Sequence, residues 1–347
     1  MTFDAVYVGV QLSGAAILHG TNRAVTFGGK STVTIAPGSS AWSDGIALPF
    51  VHDANGIELV GRKMAVTFHI AGESGPMTWH AKALTTSYLS APGDGAHGDE
   101  ETDAAFPFST TSWYFLDAVD MMAPADTRLV VAFGDSITDG TDSTLNGDDR
   151  WPDVLSRRLH AVSRVSVVNA GIGGNQVAGP PEYSAQKPFS GGPSALQRLD
   201  RDVLSLSGVS AVIWLEGIND FSKNANASVA AVEAGMREGV RRIRAARPDA
   251  RVIGATLTSA LGSTNAAHGS PEEDVNRKAL NDFIRRGGVF DGVADFDLAT
   301  LDPQTGGIRA EFVPDSTTGG PGDKLHPNRA GYMAMGLAVN LESLLRH

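Results

Sequence analysis

From residue 128 onward the chain alternates two kinds of segment, and this alternation limits the fold more than any other feature. Short apolar runs at 128–133, 165–169, 211–215, 252–257 and 293–296 read as strands. Longer stretches at 151–162, 195–206, 228–247, 275–286 and 328–345 read as helices. Strands without a polar face, joined by helical crossovers, imply a parallel sheet covered on both sides. In open sheets of this kind ligands sit beyond the carboxyl ends of the strands. The residues that follow each strand are therefore the first candidates for function.

The first third follows another pattern. Runs at 24–27, 31–35, 63–70 and 85–89 are rich in β-formers, and turn residues break them at Gly28-Gly29, Pro37-Gly38, Asn55-Gly56 and 72–76. Glycine is abundant, at 40 of 347 residues, as a turn-rich chain requires. No helical stripe precedes residue 125, so this part reads as an antiparallel sandwich or jelly roll. The pattern changes near Met122-Ala-Pro-Ala-Asp126. That places a β-sandwich accessory domain at 1–124 and an α/β domain at 127–347. The acidic, Gly-rich stretch 91–103 reads as an exposed loop.

Composition excludes several classes. Lys plus Arg is 28 against 39 Asp plus Glu, a net charge of −11, which lacks the basic footprint of a nucleic-acid binder. Cysteine is absent, so disulfides, thiolate metal sites and Cys nucleophiles are excluded. No apolar run approaches the roughly 20 residues of a membrane span. The N-terminus lacks a basic n-region and carries Asp4, so it does not read as a signal peptide. A secreted protein would need a leader outside this sequence.

Each strand end carries polar residues. Gly134-Asp135-Ser136 follows the first strand. Ser136 stands there as a candidate nucleophile, although the triplet alone reads first as a helix-capping turn. Asn169-Ala-Gly-Ile-Gly-Gly-Asn175 follows the second, and its glycines let backbone amides approach a ligand. A phosphate loop is the rival reading, but the run fits neither G-x-G-x-x-G nor a P-loop. Glu216-Gly-Ile-Asn219-Asp220 follows the third. Asn219 can donate to a developing oxyanion or simply form an Asx-turn, and Asp220 is a candidate to fix the loop. Asp323-Lys-Leu-His326 precedes the last helix. This spacing lets a carboxylate orient an imidazole that has the pKa of a general base, whereas alone His326 reads equally as a surface residue beside Pro327. Nucleophile, base, orienting acid and oxyanion donors in one chain are the set that acyl transfer needs.

These four blocks resemble the SGNH (GDSL) hydrolase family over residues 128 to about 345. The resemblance implies a flavodoxin-like sheet in the order 2-1-3-4-5. It also implies a Ser136–His326–Asp323 triad and an oxyanion hole from the Ser136 and Gly174 backbone amides and the Asn219 side chain. Gly174 takes that role, not Gly171, because it lies five positions after Asn169. No metal or organic cofactor is implied, and no H-E-x-x-H zinc motif is present. Arg150-Trp-Pro-Asp153, Gly192-Pro-Ser-Ala-Leu196 and Thr78-Trp-His80 are similar to a secreted bacterial group of polysaccharide esterases. Members of that group carry more sequence ahead of the stretch corresponding to 6–26, so the first strands of the sandwich are expected to be missing here.

The resemblance leads to a short-acyl carboxylesterase acting on a small-molecule or polysaccharide ester, with carbohydrate O-deacetylation as the leading class. Rivals are a thioesterase or lysophospholipase and a catalytically silent carbohydrate-binding protein. Substrate choice falls to the loops 176–193, 261–272 and 302–322. Tyr183 and Phe189 on the first could stack on a sugar or an aromatic acid, although core packing is the commoner use of Phe. The first domain could bind glycan, support the pocket or mediate oligomerisation, with Trp79 as either a wall near the site or core.

Overall fold

The computed structural model describes residues 1–51, 59, 61–313 and 320–345. The Asn55-Gly56 turn and part of the 302–322 loop fall outside the described residues. The chain divides into two compact units, Met1–Asp117 and Ala118–His347.

The first unit is antiparallel β-structure centred on the strand Thr2–Ser13, a segment that the sequence analysis does not single out as a strand. It pairs with Met64–Ala71 from Thr2↔Ala71 to Val10↔Met64, with a register break between Phe3 and Ala5. Shorter strands Ala16–Ile17, Arg23–Ala24 and Val33–Thr34 join the same sheet. The long strand shows little apolar–polar alternation because both faces carry apolar side chains: the register break puts Phe3 on the face of Val6, Val8 and Val10, while Ala5 and Tyr7 lie on the other. Asp4 interrupts the run, and His69 from the partner strand meets it, Nδ1 lying 2.6 Å from Oδ1. Phe3, Phe68 and Phe115 pack edge to face, with centroids 5.3–6.3 Å apart. Two small ribbons complete the unit, Trp79–His80 with Trp113–Tyr114 and Ser87–Leu89 with Phe108–Thr110. Trp79 is 58% exposed, so the core reading of this side chain does not hold.

The second unit holds five parallel strands: β1 Arg128–Gly134, β2 Val165–Gly171, β3 Val209–Leu215, β4 Arg251–Ala255 and β5 Gly292–Ala294. Their order is 2-1-3-4-5, the flavodoxin-like arrangement. The helices are α1 Ser136–Asp139, α2 Trp151–His160, α3 Ala195–Leu199, α4 Val229–Ala246, α5 Pro271–Arg286, α6 Phe296–Thr300, α7 Arg329–Ala338 and α8 Leu341–Leu345. Side-chain oxygens of Ser228, Ser270 and Asn328 accept first-turn amides and so start α4, α5 and α7, as capping predicts.

Three elements end differently from the sequence reading. The helix expected at 195–206 widens into a π-helical stretch at Asp200–Leu204. The one expected at 328–345 breaks at Val339, whose backbone is extended, and Asn340 Oδ1 then accepts the Glu342 amide. Phe296 belongs to α6 rather than to β5, because the Asp295 side chain caps that helix. Among the described residues no helix is long and apolar enough to cross a membrane.

The core lies on both faces of the sheet. Val130, Val131, Ala132 and Phe133 of β1 and Ala211 to Leu215 of β3 are buried almost completely. Phe133 and Trp214 meet at 5.1 Å, and the Arg198 guanidinium lies 4.0 Å from the Phe133 centroid. Replacing Phe133 with Ala is expected to cost about 3–5 kcal/mol, read from equilibrium unfolding in urea. A loss below about 1 kcal/mol would show that the site collapses around the deletion.

Candidate active site

β1 ends at Gly134, and the Asp135 carboxylate caps the next turn by accepting the Ile137 amide at 2.9 Å. Ser136 therefore opens α1, nearly buried. Its Oγ lies 2.8 Å from His326 Nε2, although the two residues are 190 positions apart. The opposite ring nitrogen, Nδ1, lies 2.7 Å from Asp323 Oδ2. The other carboxylate oxygen accepts the backbone amides of Leu325 at 2.9 Å and His326 at 2.8 Å. Asp323 and His326 sit on a turn ahead of α7 rather than on a helix. Lys324 takes the left-handed conformation, at φ 60°, where the chain folds the carboxylate back over its own amides. Ser263 Oγ and the Thr264 amide hold the Asp323 carbonyl from the 261–272 loop, at 2.7 and 3.0 Å.

The second cluster follows β2. The Asn175 amide donates to the Ile172 carbonyl at 3.0 Å, which closes a four-residue turn. Gly174 sits at its third position with φ 80°, as a type II turn requires. Gly171 is needed for another reason, since a Cβ there would stand 2.2 Å from the Asp139 amide of α1. Asn169 links the two strand ends by donating to the Thr138 carbonyl at 2.7 Å and accepting the Gly171 amide at 2.9 Å. Among the described residues neither the Ser136 nor the Gly174 amide finds an acceptor, so both remain available to a ligand.

Asn219 follows β3, and its carboxamide donates one N–H to the Asn175 carbonyl at 3.0 Å, leaving the other without an acceptor among the described residues. Asp220 binds the segment after Gly174, accepting the Val177 and Ala178 amides at 2.8 and 2.9 Å. The structure thus brings the Ser136, Asp323 and His326 side chains together. Asn219 reaches the turn that carries Gly174. Tyr183 is exposed and Phe189 half-buried, and among the described residues no hydrogen bond or ring contact joins either one to this cluster.

Environment separates the carboxyls. Burial opposes charge on Asp323, but the His326 ring and the two amides outweigh it and hold the carboxyl at about 2. Burial pushes Asp135 and Asp220 up to about 6. Burial also raises Glu216 far above the usual carboxylate range, against the pull of Arg198. Sequence reading passed over Arg198, although it is wholly buried and bonded to Glu216.

Asp142, Asp323 and His326 bring ligand atoms within 4.8 Å of one another. Both ring nitrogens and both Asp323 oxygens are already engaged, so a cation held by all three would have to dismantle the hydrogen-bonded chain.

The raised Asp220 carboxyl has a stability consequence. Its usual value is 3.8 and the folded one about 6, so the fold favours the neutral form. That stabilisation is complete below the unfolded value and is lost as pH rises through about 6, a change of about 3 kcal/mol. Asp220→Asn removes one amide acceptor and is expected to be less stable throughout. Its deficit relative to the native chain should shrink by about that amount between roughly pH 4 and pH 7, read from urea midpoints. A deficit that is constant or widens would show that Asp220 does not titrate in this window.

Residues 132–334, more than half of the chain, match the GDSL-like lipase/acylhydrolase family. The fold is similar to the M. smegmatis aryl esterase, at 16% identity and a TM-score of 0.48, over 63% of this chain and 100% of that one. It is similar to a carbohydrate acetylesterase from Sinorhizobium meliloti, at 16% and 0.44, over 61% and 97%. A third similar structure is a lipase/acylhydrolase from Enterococcus faecalis, at 23% and 0.47, over 63% and 97%. A search of curated proteins returns no match. With the family match spanning β1 to α7, the chain belongs to the GDSL-like lipase/acylhydrolase family and is a carboxylic ester hydrolase.

Proposed function

We propose that the protein is a serine esterase that removes short acyl groups, acetyl above all, from carbohydrate esters through a covalent acyl-enzyme. One observation carries the mechanism: the unbroken chain Ser136 Oγ–His326–Asp323, at 2.8 and 2.7 Å. With Nδ1–H donated to Asp323, the His326 Nε2 lone pair takes the Ser136 proton as Oγ attacks the ester carbonyl. The carbonyl π electrons move to oxygen, and that oxyanion accepts hydrogen bonds from the Ser136 and Gly174 amides and the free Asn219 N–H. Collapse breaks the C–O bond, and Nε2–H protonates the departing alcohol. Water attacks the acyl-enzyme by the same route in reverse, giving up its proton to Nε2, and Ser136 recovers its hydrogen as the acid leaves. Asp323 stays ionised throughout, in keeping with a carboxyl held at about 2.

The carbohydrate assignment is supported by the sequence similarity of Arg150-Trp-Pro-Asp153, Gly192-Pro-Ser-Ala-Leu196 and Thr78-Trp-His80 to polysaccharide esterases. Tyr183 and Phe189 then become candidates for stacking on a sugar ring.

Ser136→Ala is expected to lower p-nitrophenyl acetate turnover by at least about 10⁴-fold and to abolish labelling by a fluorophosphonate. Full turnover in that variant would remove the mechanism. Asn219→Ala should cost about 10²–10³ in kcat, and an unchanged kcat would take Asn219 out of the oxyanion hole. Acetate release from acetylated xylo-oligosaccharides should exceed turnover of acyl-CoA and lysolipid in kcat/KM. The opposite ranking would move the protein to the thioesterase or lysophospholipase class.

A further inference from the structure

Arg198 on α3 has five N–H donors, and every one is used. Nε donates to the Asn175 carboxamide oxygen at 2.8 Å. One terminal nitrogen donates to the Ala170 carbonyl and to Asp202, both at 2.8 Å. The other donates to the Gly134 carbonyl at 2.8 Å and to Glu216 at 2.9 Å. Gly134 ends β1 two residues before Ser136. Ala170 lies at the end of β2, and Asn175 directly follows Gly174. Glu216 follows β3, three residues before Asn219. One planar group, lying over the Phe133 ring, is therefore bonded to all three strand exits that carry the proposed oxyanion donors.

Asn175 extends the link. Its side-chain N–H groups donate to the Gly191 and Pro193 carbonyls at 2.6 and 2.7 Å, and its own carbonyl accepts the Asn219 carboxamide. It is completely buried. The path therefore runs from the Arg198 guanidinium through the Asn175 carboxamide, and from the Asn175 carbonyl to the Asn219 carboxamide.

We propose that Arg198 and Asn175 are positioning residues that aim the oxyanion donors, and that Asn175 also ties the 176–193 substrate loop to them. The proposal rests on the esterase reading above. Neither side chain touches the reacting atoms in this scheme; both act through the Gly174 turn and Asn219. A misaimed donor weakens the bond to the tetrahedral oxyanion while leaving ground-state binding nearly intact, and an error of about 1 Å is enough to cost about 10²-fold in rate.

The test uses the full chain and two variants. Arg198→Lys keeps the charge but offers three donors instead of five. Asn175→Ala keeps the backbone carbonyl that Asn219 uses but removes the carboxamide that ties this residue to Arg198 Nε and to the Gly191 and Pro193 carbonyls. It leaves Arg198 bonded to Gly134, Ala170, Asp202 and Glu216, so it decides the question if Arg198→Lys does not fold. Asn175→Ala is expected to lower kcat for p-nitrophenyl acetate about 10–100-fold with KM within about threefold. Affinity for phenylboronic acid, which forms a tetrahedral adduct on the serine, should fall by the same factor as kcat/KM. An unchanged kcat in the folded variant overturns the proposal, and so does a fall in kcat without matching loss of boronate affinity. Retained turnover in Ser136→Ala would instead remove the esterase reading itself, so the two failures are distinguishable.

Discussion

The site depends on the parallel pairing of β1 with a strand on each side. Gly134 stands opposite Gly171 of β2 and opposite Leu215 of β3. The three chains therefore leave the sheet at one level, side by side. Neighbouring strands are about 4.8 Å apart, so the segments leaving the three exits lie close enough for links such as Asn169 to the Thr138 carbonyl and Asn219 to the Asn175 carbonyl. No long-range fitting is needed to bring Ser136, the Gly174 turn and Asn219 to one edge; the register does it. A shift of one residue in either pairing would turn every side chain of that strand to the opposite face. The apolar sets of β1 and β3 are packed on both faces, with Phe133 against Trp214, which pins the register that the site requires.

Only the fourth element, the turn carrying Asp323 and His326, arrives from outside this arrangement. It is held by contacts of its own. The 261–272 loop binds the Asp323 carbonyl, and Asn328 caps α7 just beyond. Several carboxyls crowd the region, and their surroundings sort them. Asp323 is part-buried but faces a ring nitrogen and two amides, so it stays ionised. Asp135 accepts one amide and has its other oxygen buried without a donor among the described residues, and desolvation raises it. Environment thus separates these carboxyls: Asp323 is held at about 2, while Asp135 and Asp220 accept amides that shape the turns.

Much of this was legible in the sequence because the signals were local. Strands with two apolar faces and helices with one were readable between residues 128 and 345, and four polar blocks fell at their ends. The strand Thr2–Ser13 was harder to read because apolar residues on both faces erase the alternation by which a half-buried strand is recognised. The break at Val339 was hidden because apolar residues continue through it into α8. Arg198 is the most instructive omission. An arginine between Gln197 and Leu199 in an amphipathic segment reads as solvent-facing, and burial of Arg is rare unless it is paired. Apart from Asp202, four positions on, its partners come from the ends of three strands, and no local pattern records them. Glu216, a charged residue following the apolar run 211–215, was the available hint.

The buried arginine also bears on why catalytic geometry and loop variation can coexist in one unit. Rim loops carry specificity and must be free to differ, whereas oxyanion donors tolerate little displacement. In this chain the 176–193 loop is clamped at both ends. Asp220 takes its first amides at Val177 and Ala178, and Asn175 takes its last carbonyls at Gly191 and Pro193. A Cβ on Gly191 would stand 2.2 Å from the Gly174 carbonyl, so the returning end of the loop lies directly against the Gly174 turn. Between the clamps, residues 179–190 make no hydrogen bond to the β1, β2 or β3 exits among the described residues. Substitutions there, Tyr183 included, can reshape the loop without disturbing the bonds that hold the Gly174 turn, whereas changes at Asn175 or Gly191 act on both. The boundary between adjustable and fixed parts of the site is set by which backbone groups the buried polar side chains hold, and not by distance along the loop.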